Sequence, residues 1–201
     1  MTELPLTRIA VSRDKQLRIR EAVSKADKLA DLARLASLDD VEALTALLAD
    51  PEISGPIYTL PSKINPHTVQ SFIERHLAER ERGEGLLMVS IDEVALSAYH
   101  DIQVWPQWGA CELGGAVRRD RQNRGQGGSG ALIAFNWLFE VIGVDLICET
   151  AALDNIRTAR LLESIGFGCK GQIESQLSDG STRASSYWEL QRSEWQSRSN
   201  E

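Results

Sequence analysis

A glycine-rich segment, Gln122–Gly130, constrains the fold of this chain more than any other feature. It holds four glycines in six residues and separates a strand-like run, Glu112–Val117, from a run with one apolar face that predicts a helix, Ala131–Ile142. Glycines let the backbone turn sharply, and the first turn of a helix offers N–H groups without intrahelical partners. The segment therefore predicts a backbone site for an anion such as a diphosphate.

A second strand is predicted directly after this helix. Gly143 is a natural helix stop, and Val144–Glu149 follows it with the composition of a buried strand. A strand, loop, helix and strand in this order indicate two parallel strands with a ligand at their carboxyl ends.

The same glycines fit two anion-binding patterns, of which the first is the dinucleotide fingerprint G-x-G-x-x-G. Gly125, Gly127 and Gly130 match it, and Glu149 lies where a ribose-binding acid is expected. This interpretation would make the chain an NAD-binding oxidoreductase. Against it, the charged run Arg118–Arg124 separates the strand from the first glycine, and the remaining chain is short for further strand–helix units.

The second pattern is Q/R-x-x-G-x-G/A, which Gln122, Gly125 and Gly127 match. It resembles the coenzyme A diphosphate loop of the GNAT acyltransferase superfamily. Downstream, Asn155–Phe167 is similar to the N-x-x-S/T…L-x-x-x-G-F segment of that family. The resemblance covers about Leu86–Trp195, and its pattern is nearest to the branch that includes the N-terminal acetyltransferases of ribosomal proteins.

The resemblance implies an α/β (α+β) fold, namely a single GNAT-like domain. Its central sheet would be mixed and mostly antiparallel, with splayed fourth and fifth strands and helices on both faces. The domain would span 1–201, with an N-terminal extension or helix at 1–38, a core at 39–195 and a frayed tail at 196–201.

The resemblance also implies acetyl-CoA as co-substrate and assigns its contacts. Backbone groups near Ala116 and Val117 would bind the pantetheine arm. Asn155 would contact the pantetheine, and the Thr158 hydroxyl would lie near the sulfur and help the leaving thiolate. The diphosphate would be held by the loop residues Gln122, Asn123, Arg124, Gly125, Gln126, Gly127 and Gly128.

The implied reaction is acetyl transfer to a primary amine, either a peptide or protein N-terminus or a small molecule, by direct attack on the thioester. An alkylammonium must first lose a proton, and Glu112 and Glu149 are the candidate bases. A tyrosine that serves as general acid in some relatives is replaced by Leu162, which leaves the acid unassigned, with Tyr187 and His100 as outside candidates. This departure also motivates an alternative, a non-catalytic acyl-CoA sensor or interaction module.

Charge and composition restrict the classes of molecule that we expect the chain to bind. The chain has 22 Lys plus Arg against 29 Asp plus Glu, and the resulting net charge of −7 disfavours nucleic acid. The arginines of the Arg118–Arg124 run therefore indicate a specific anion. No apolar run approaches the roughly 20 residues of a membrane span, so we expect a cytoplasmic protein without membrane partners, as a monomer or homodimer. Its three cysteines are predicted to be buried thiols, with no metal site: Cys111, Cys148 and Cys169.

Apolar spacing predicts the other elements. The predicted helices are Ser24–Ala36, a helix capped by Asp39 and running to Leu48, and a helix from Asn65 to Arg82 that carries a packed His76. The further predicted strands are Leu86–Ile91, Val94–Ile102, Phe167–Leu177 and Thr182–Leu190. The first strand is either Leu6–Val11 or Gln16–Val23.

Overall fold

The computed structural model describes residues 4–93, 95–122 and 126–198. Its helices are α1 (Arg13–Lys25), α2 (Val41–Leu48), α3 (Pro51–Ser54), α4 (Pro66–Arg82), α5 (Gln126–Trp137), α6 (Ile156–Ile165) and α7 (Arg192–Arg198). Its strands are β1 (Lys28–Leu29), β2 (Ala33–Leu35), β3 (Gly85–Ile91), β4 (Leu96–Trp105), β5 (Ala110–Val117), β6 (Leu146–Ala152), β7 (Gly168–Gln176) and β8 (Thr182–Gln191). A π-helix, Leu138–Ile142, continues α5.

The strands form one sheet in the order β1-β2-β3-β4-β5-β6-β8-β7. β5 and β6 run parallel, and every other neighbouring pair is antiparallel. The β5–β6 pairing covers three residue pairs and ends at Glu112 and Cys148. Beyond it β5 continues to Val117 and β6 to Ala152, so the two strands splay apart. The predicted splay is confirmed. It separates the fifth and sixth strands rather than the fourth and fifth, because two short strands, β1 and β2, precede β3 where one was predicted.

Helices cover both faces of the sheet, as predicted. In β3, Leu86 and Met88 face a core that also contains side chains of α1, α5 and α6. Leu87 and Val89 face a second core with side chains of α2 and α4. This alternation is the period of two that a strand imposes on its side chains. A doubly wound dinucleotide-binding sheet is therefore wrong for this chain, since the described strands contain a single parallel pair.

Several predicted element ends are confirmed by their caps. The Asn65 side chain accepts a hydrogen bond from the Thr68 N–H at 3.1 Å, Pro66 begins α4, and Gly83 ends it with φ 71°. Gly143 ends the π-helix with φ 83°. These positions were readable because a capping side chain, a first-turn proline and a left-handed glycine each satisfy a local backbone requirement.

The N-terminal predictions are wrong. Ser24–Ala36 is not a helix, because α1 ends at Lys25 and a hairpin follows in which Leu29 pairs with Ala33. Neither predicted first strand exists: Gln16–Val23 lies within α1, and Leu6–Val11 has no regular structure. The apolar residues recur at a spacing that suits a helix, but β2 instead pairs with the edge of β3.

Three smaller predictions also need correction. The N-cap residue of α2 is Asp40 rather than Asp39, and it makes no side-chain capping bond to α2. Its carboxylate instead accepts the Ser37 N–H at 2.8 Å, at the start of the preceding 3₁₀ turn. Strand β4 begins at Leu96 rather than Val94, and Val94 itself lies outside the described residues. Cys111 and Cys148 are buried, whereas Cys169 is exposed on strand β7.

The last described element of the chain is a helix. Helix α7 runs to Arg198, and the Trp195 ring lies 5.9 Å from that of Phe139, measured between centroids. This contact packs α7 against the π-helix.

Gly115 in β5 gives a test of the sheet beside the splay. Its φ is 141°, and a Cβ there would lie 2.2 Å from the Tyr99 carbonyl oxygen of β4. We expect Gly115→Ala to lower the free energy of unfolding by about 3 kcal/mol, because strain and overlap add. The matched control is Gly114→Ala, whose Cβ would meet its nearest atom at 3.8 Å. Equal urea midpoints for the two variants would contradict this account.

Candidate active site

A cleft of about 1480 Å³ opens where β5 and β6 separate. The unpaired lengths of both strands line it, together with the N-terminal turns of α6 and the segment after α3. The short ladder thus creates a gap in the sheet that is lined by residues from both of its faces.

The register at the end of the ladder decides which side chains share a face. Glu112 pairs with Cys148, so its side chain lies on the same face as those of Cys148 and Thr150. Glu149 points to the opposite face, which is also the face of its neighbour Ile147 and of helices α5 and α6. The two predicted bases therefore flank one gap but face opposite sides of the sheet.

Glu112 is buried with both carboxylate oxygens hydrogen-bonded. The Tyr58 hydroxyl donates to Oε2 at 2.7 Å, and the Thr150 hydroxyl donates to Oε1 at 2.7 Å. Burial raises the pKa of Glu112 to about 7, the charge of Asp101 acts in the same direction, and the two hydroxyl donors oppose the shift. A carboxyl with this pKa exchanges protons readily at neutral pH, as a general base must.

Glu149 has a different environment. It is 7% exposed, and its Oε1 has no hydrogen-bond partner among the described residues. Burial raises the pKa of Glu149 well above its usual value, the nearby charge of Glu112 raises it further, and the neighbouring Leu113 N–H opposes the shift. The environment of Glu149 therefore favours its neutral form.

A buried ion pair lies beside Glu112 on the same face. His76 Nδ1 is 2.8 Å from the Phe72 carbonyl oxygen, which can only accept, so this nitrogen carries a proton. Nε2 is 2.9 Å from Asp101 Oδ1, and the Thr59 hydroxyl donates to Oδ2 at 3.0 Å. Asp101 raises the pKa of His76 against the effect of burial, and His76 lowers that of Asp101. His76 is therefore packed, as predicted, and also charged.

The predicted acetyl-CoA contacts surround the outer part of the cleft. Ala116, Val117, Gln122, Asn155 and Thr158 all line it. Gln122 donates through Nε2 to the Val117 carbonyl at 2.7 Å, which holds the start of the loop against β5. Asn155 caps α6 by accepting the Thr158 N–H at 3.1 Å, so its amide NH₂ stays available to a ligand.

The glycine-rich loop is described only in part. Helix α5 begins at Gln126, which places the N–H groups of Gln126, Gly127 and Gly128 in its first turn, where they lack intrahelical acceptors. The predicted contacts of Asn123, Arg124 and Gly125 lie outside the described residues.

Three arginines of the predicted anion site are paired with carboxylates. Arg118 and Arg121 both pair with Asp92, at 2.8 and 2.7 Å, and Arg119 pairs with Glu52 at 2.9 Å. These ion pairs connect the loop to neighbouring segments. The role of the cluster as an anion site stays a prediction.

Sequence reasoning missed an arginine that does reach the loop. Arg157, in the first turn of α6, donates to the Gln122 Oε1 at 3.0 Å and lines the cleft. Its position inside the N-x-x-S/T segment was the available signal. Thr150 offered none, since its contact with Glu112 depends on a register that the sequence does not reveal.

The two outside candidates for the general acid are engaged elsewhere. The Tyr187 hydroxyl accepts the Leu6 N–H and donates to Glu189 at 2.8 Å. His100 is kept neutral because burial lowers its pKa to about 4, and its Nε2 lies 3.2 Å from the Ser90 hydroxyl.

The raised pKa of Glu112 has a consequence for stability. Folding favours its protonated form, so this contribution is complete below about pH 4.5 and is lost as the pH rises through 7. At about 1.4 kcal/mol per pKa unit, Glu112→Gln should gain roughly 2–3 kcal/mol relative to the parent protein between pH 5 and 8. Urea unfolding at both values measures this gain. The control is Glu163→Gln, an exposed residue of α6, and a constant difference for Glu112→Gln would contradict the burial argument.

Two general features bear on the type of site. The described residues bring together no group of three or more His, Cys, Asp or Glu side chains suited to a metal ion. None of the helices in the described part of the chain combines the length and the apolar character needed to cross a bilayer.

Solved structures share the fold at low sequence identity. The ribosomal-protein-S5-alanine acetyltransferase of Vibrio fischeri aligns with a TM-score of 0.68 and 13% identity, covering 81% of this chain and 93% of that one. RimL, a ribosomal-protein α-N-acetyltransferase in complex with coenzyme A, aligns with a TM-score of 0.72 and 11% identity, covering 85% and 99%. The spermidine/spermine N-acetyltransferase SpeG of Vibrio cholerae aligns with a TM-score of 0.68 and 15% identity, covering 83% of this chain and 96% of that one.

Sequence comparison identifies the family. No curated protein matches this sequence significantly. The family model of the acetyltransferase (GNAT) domain matches residues 32–168, which is more than half of the chain. The chain therefore belongs to the GNAT family of acetyltransferases, enzymes that use acetyl-CoA.

Proposed function

We propose that this protein transfers the acetyl group of acetyl-CoA to a primary amine by direct attack, with Glu112 as the general base. The observation that carries the proposal is the position and environment of Glu112. It lies at the last residue pair before the gap, it is buried, and its pKa of about 7 suits proton exchange at neutral pH. We also propose that the chain forms one catalytic domain, because Ile19 and Val23 of α1 belong to the same core as α5 and α6.

Acetyl-CoA would bind along the splay. The backbone of β5 beyond Glu112 has no strand partner on the β6 side, so the pantetheine arm can bind at Ala116 and Val117 like an added strand. The first-turn amides of α5 would hold the diphosphate together with Gln122, Asn123, Arg124 and Gly125. The amide NH₂ of Asn155 would contact the pantetheine, and the Thr158 hydroxyl would lie near the sulfur.

The hydrogen bonds of Glu112 suit a base that changes charge. Tyr58 and Thr150 are neutral donors, so they stabilise the carboxylate without a permanent ion pair that would keep it ionised. At pH 7 a substantial share of the carboxyl is ionised and can take the proton of the attacking amine. Burial near the gap keeps this carboxylate poorly solvated, which strengthens its attraction for an ammonium ion.

The acceptor would enter from the face of Glu112. On that face Asp101 and Glu112 line the cleft beside Tyr58 and Thr59. The net charge of −7 raises the local concentration of cations. The site therefore suits an amine that arrives as an ammonium ion, such as a peptide or protein N-terminus or a polyamine. The similar structures include enzymes named for acceptors of both kinds.

Ligand binding and turnover test the proposal together. Acetyl-CoA and CoA, each at about 100 times their dissociation constant, should stabilise the protein by roughly 2.7 kcal/mol, whereas NAD and NADP should not. Differential scanning fluorimetry measures the shift, and thiol release in the presence of polyamines and of peptides with free N-termini measures transfer. Stabilisation without transfer to any of these amines would favour the alternative of a non-catalytic acyl-CoA sensor.

Replacement of the base gives a sharper test. Glu112→Gln should lower kcat by about 10²- to 10⁴-fold, because proton removal from the amine is lost, while the affinity for acetyl-CoA should persist. Stopped-time assays with saturating amine and isothermal titration with CoA separate the two effects. Glu163→Gln serves as the control again. If Glu112→Gln retained full turnover, carboxylate base catalysis by this residue would be wrong.

A further inference from the structure

The carboxyl of Glu149 lies on the side of the gap where the reaction needs a proton donor. The register places it opposite Glu112, on the face that α5 and α6 cover. Leu162, which stands where some relatives have a tyrosine acid, belongs to the core on that same face. With leucine at this position, the face has no tyrosine to donate a proton. Glu149 supplies a carboxyl group on that same face.

The surroundings of Glu149 favour its neutral form. Its Oε1 is buried and has no hydrogen-bond partner among the described residues. The helices on this face present apolar side chains to the cleft: Ala134 and Phe135 of α5, Leu161 and Leu162 of α6. Burial of an unpaired carboxylate would be costly, and a protonated carboxyl avoids this cost. Glu149 lines the cleft, so its protonated carboxyl group can donate a proton to a ligand bound there.

The titratable groups around Glu149 do not supply a counter-charge. Cys111 and Glu112 on β5 interact with it, as does Cys148 on its own strand. His100 of β4 lies on the same face and stays neutral because burial lowers its pKa. Across the sheet its partner in β8 is Trp188, an uncharged residue whose indole Nε1 is also without a partner in the described residues. None of these groups carries a positive charge that would stabilise the ionised form of Glu149, so the neutral carboxyl is favoured.

We propose that Glu149 is the general acid that protonates the coenzyme A thiolate as it leaves. The proposal rests on the proposed acetyl transfer. The amine nitrogen forms a bond to the acetyl carbon, the carbon–sulfur bond breaks with its electron pair on sulfur, and the sulfur takes the proton of Glu149. The proton of the amine passes to Glu112. Glu149 is then a carboxylate and Glu112 a carboxylic acid, and proton exchange with water restores both.

Glu149→Gln separates an acid from a structural role. The glutamine side chain has nearly the same volume and is also neutral, but it cannot give up a proton. A role confined to packing in the wall of the cleft predicts normal turnover. Proton donation predicts a loss of about 10²- to 10⁴-fold in kcat with an unchanged KM for acetyl-CoA.

The pH profile of kcat assigns the two carboxyls independently. The parent enzyme should show an acidic limb from Glu112 and a basic limb from Glu149. Glu149→Gln should lose the basic limb, and Glu112→Gln should lose the acidic limb. Full turnover and an unchanged basic limb in Glu149→Gln would overturn the acid assignment. A parent enzyme that acetylates none of the amines would instead overturn the proposed function.

Infrared spectroscopy provides a readout that does not depend on turnover. In the Glu112→Gln background, which removes the other buried carboxyl, the protein at pH 7.5 should show the C=O stretch of a buried protonated carboxyl, and this band should disappear when Glu149→Gln is added. Glu149→Asp keeps a carboxyl with a shorter reach, so it should retain the band yet lose turnover. This variant also guards against a folding defect specific to glutamine. A Glu112→Gln spectrum without the band would overturn the proposal.

Discussion

The site depends on the early end of the β5–β6 ladder. A parallel pair normally continues until one strand ends, because each buried N–H and C=O needs a partner. Here the ladder stops after Glu112 and Cys148. Beyond this pair, β5 residues up to Val117 line the cleft without a strand partner on the β6 side. The cleft and the exposed backbone of β5 follow from this early end.

Because side chains alternate along a strand, the carboxyl groups of Glu112 and Glu149 lie on opposite faces of the sheet. Three carboxyl groups approach the gap, and the structure treats each one differently. Asp101 is ionised beside His76, Glu112 is balanced by two hydroxyl donors, and Glu149 has no cation among its described neighbours. Because burial acts on all three, the difference in their pKa values arises from their partners. The charged His76 keeps Asp101 an anion, and the two neutral hydroxyl donors leave Glu112 a proton acceptor near neutral pH. The unmatched oxygen of Glu149 favours a neutral acid.

Much of this fold was predictable where local backbone chemistry decides it. The helix cap at Asn65 and the helix end at Gly143 were predictable from short segments. The two family motifs predicted the type of sheet. The N-terminal hairpin could not, because a helix-like spacing of apolar residues is compatible with both structures until β3 provides an edge. The partners of Glu112 were hidden for a related reason. Tyr58 is 54 residues away and Thr150 is 38 residues away in the chain.

The arginines near the loop illustrate the same limit. A basic run in an acidic protein suggests an anion site, yet three of its arginines form ion pairs with Asp92, Asp120 and Glu52. Asp92 and Glu52 lie far from the run in the sequence, so the local sequence alone overstates the positive charge at the loop. The anion site retains its physical basis in the first-turn amides of α5, which are independent of side-chain pairing.

The ion pair of His76 and Asp101 links the acceptor face to the base. Since His76 Nδ1 donates to the Phe72 carbonyl, the contact of Nε2 with Asp101 requires a second proton on the ring. The charge of Asp101 raises the pKa of Glu112, and His76 lowers the pKa of Asp101. His76 thereby keeps Asp101 in the charged form that acts on Glu112. A buried histidine thus influences the pKa of the proposed base through a neighbouring carboxylate.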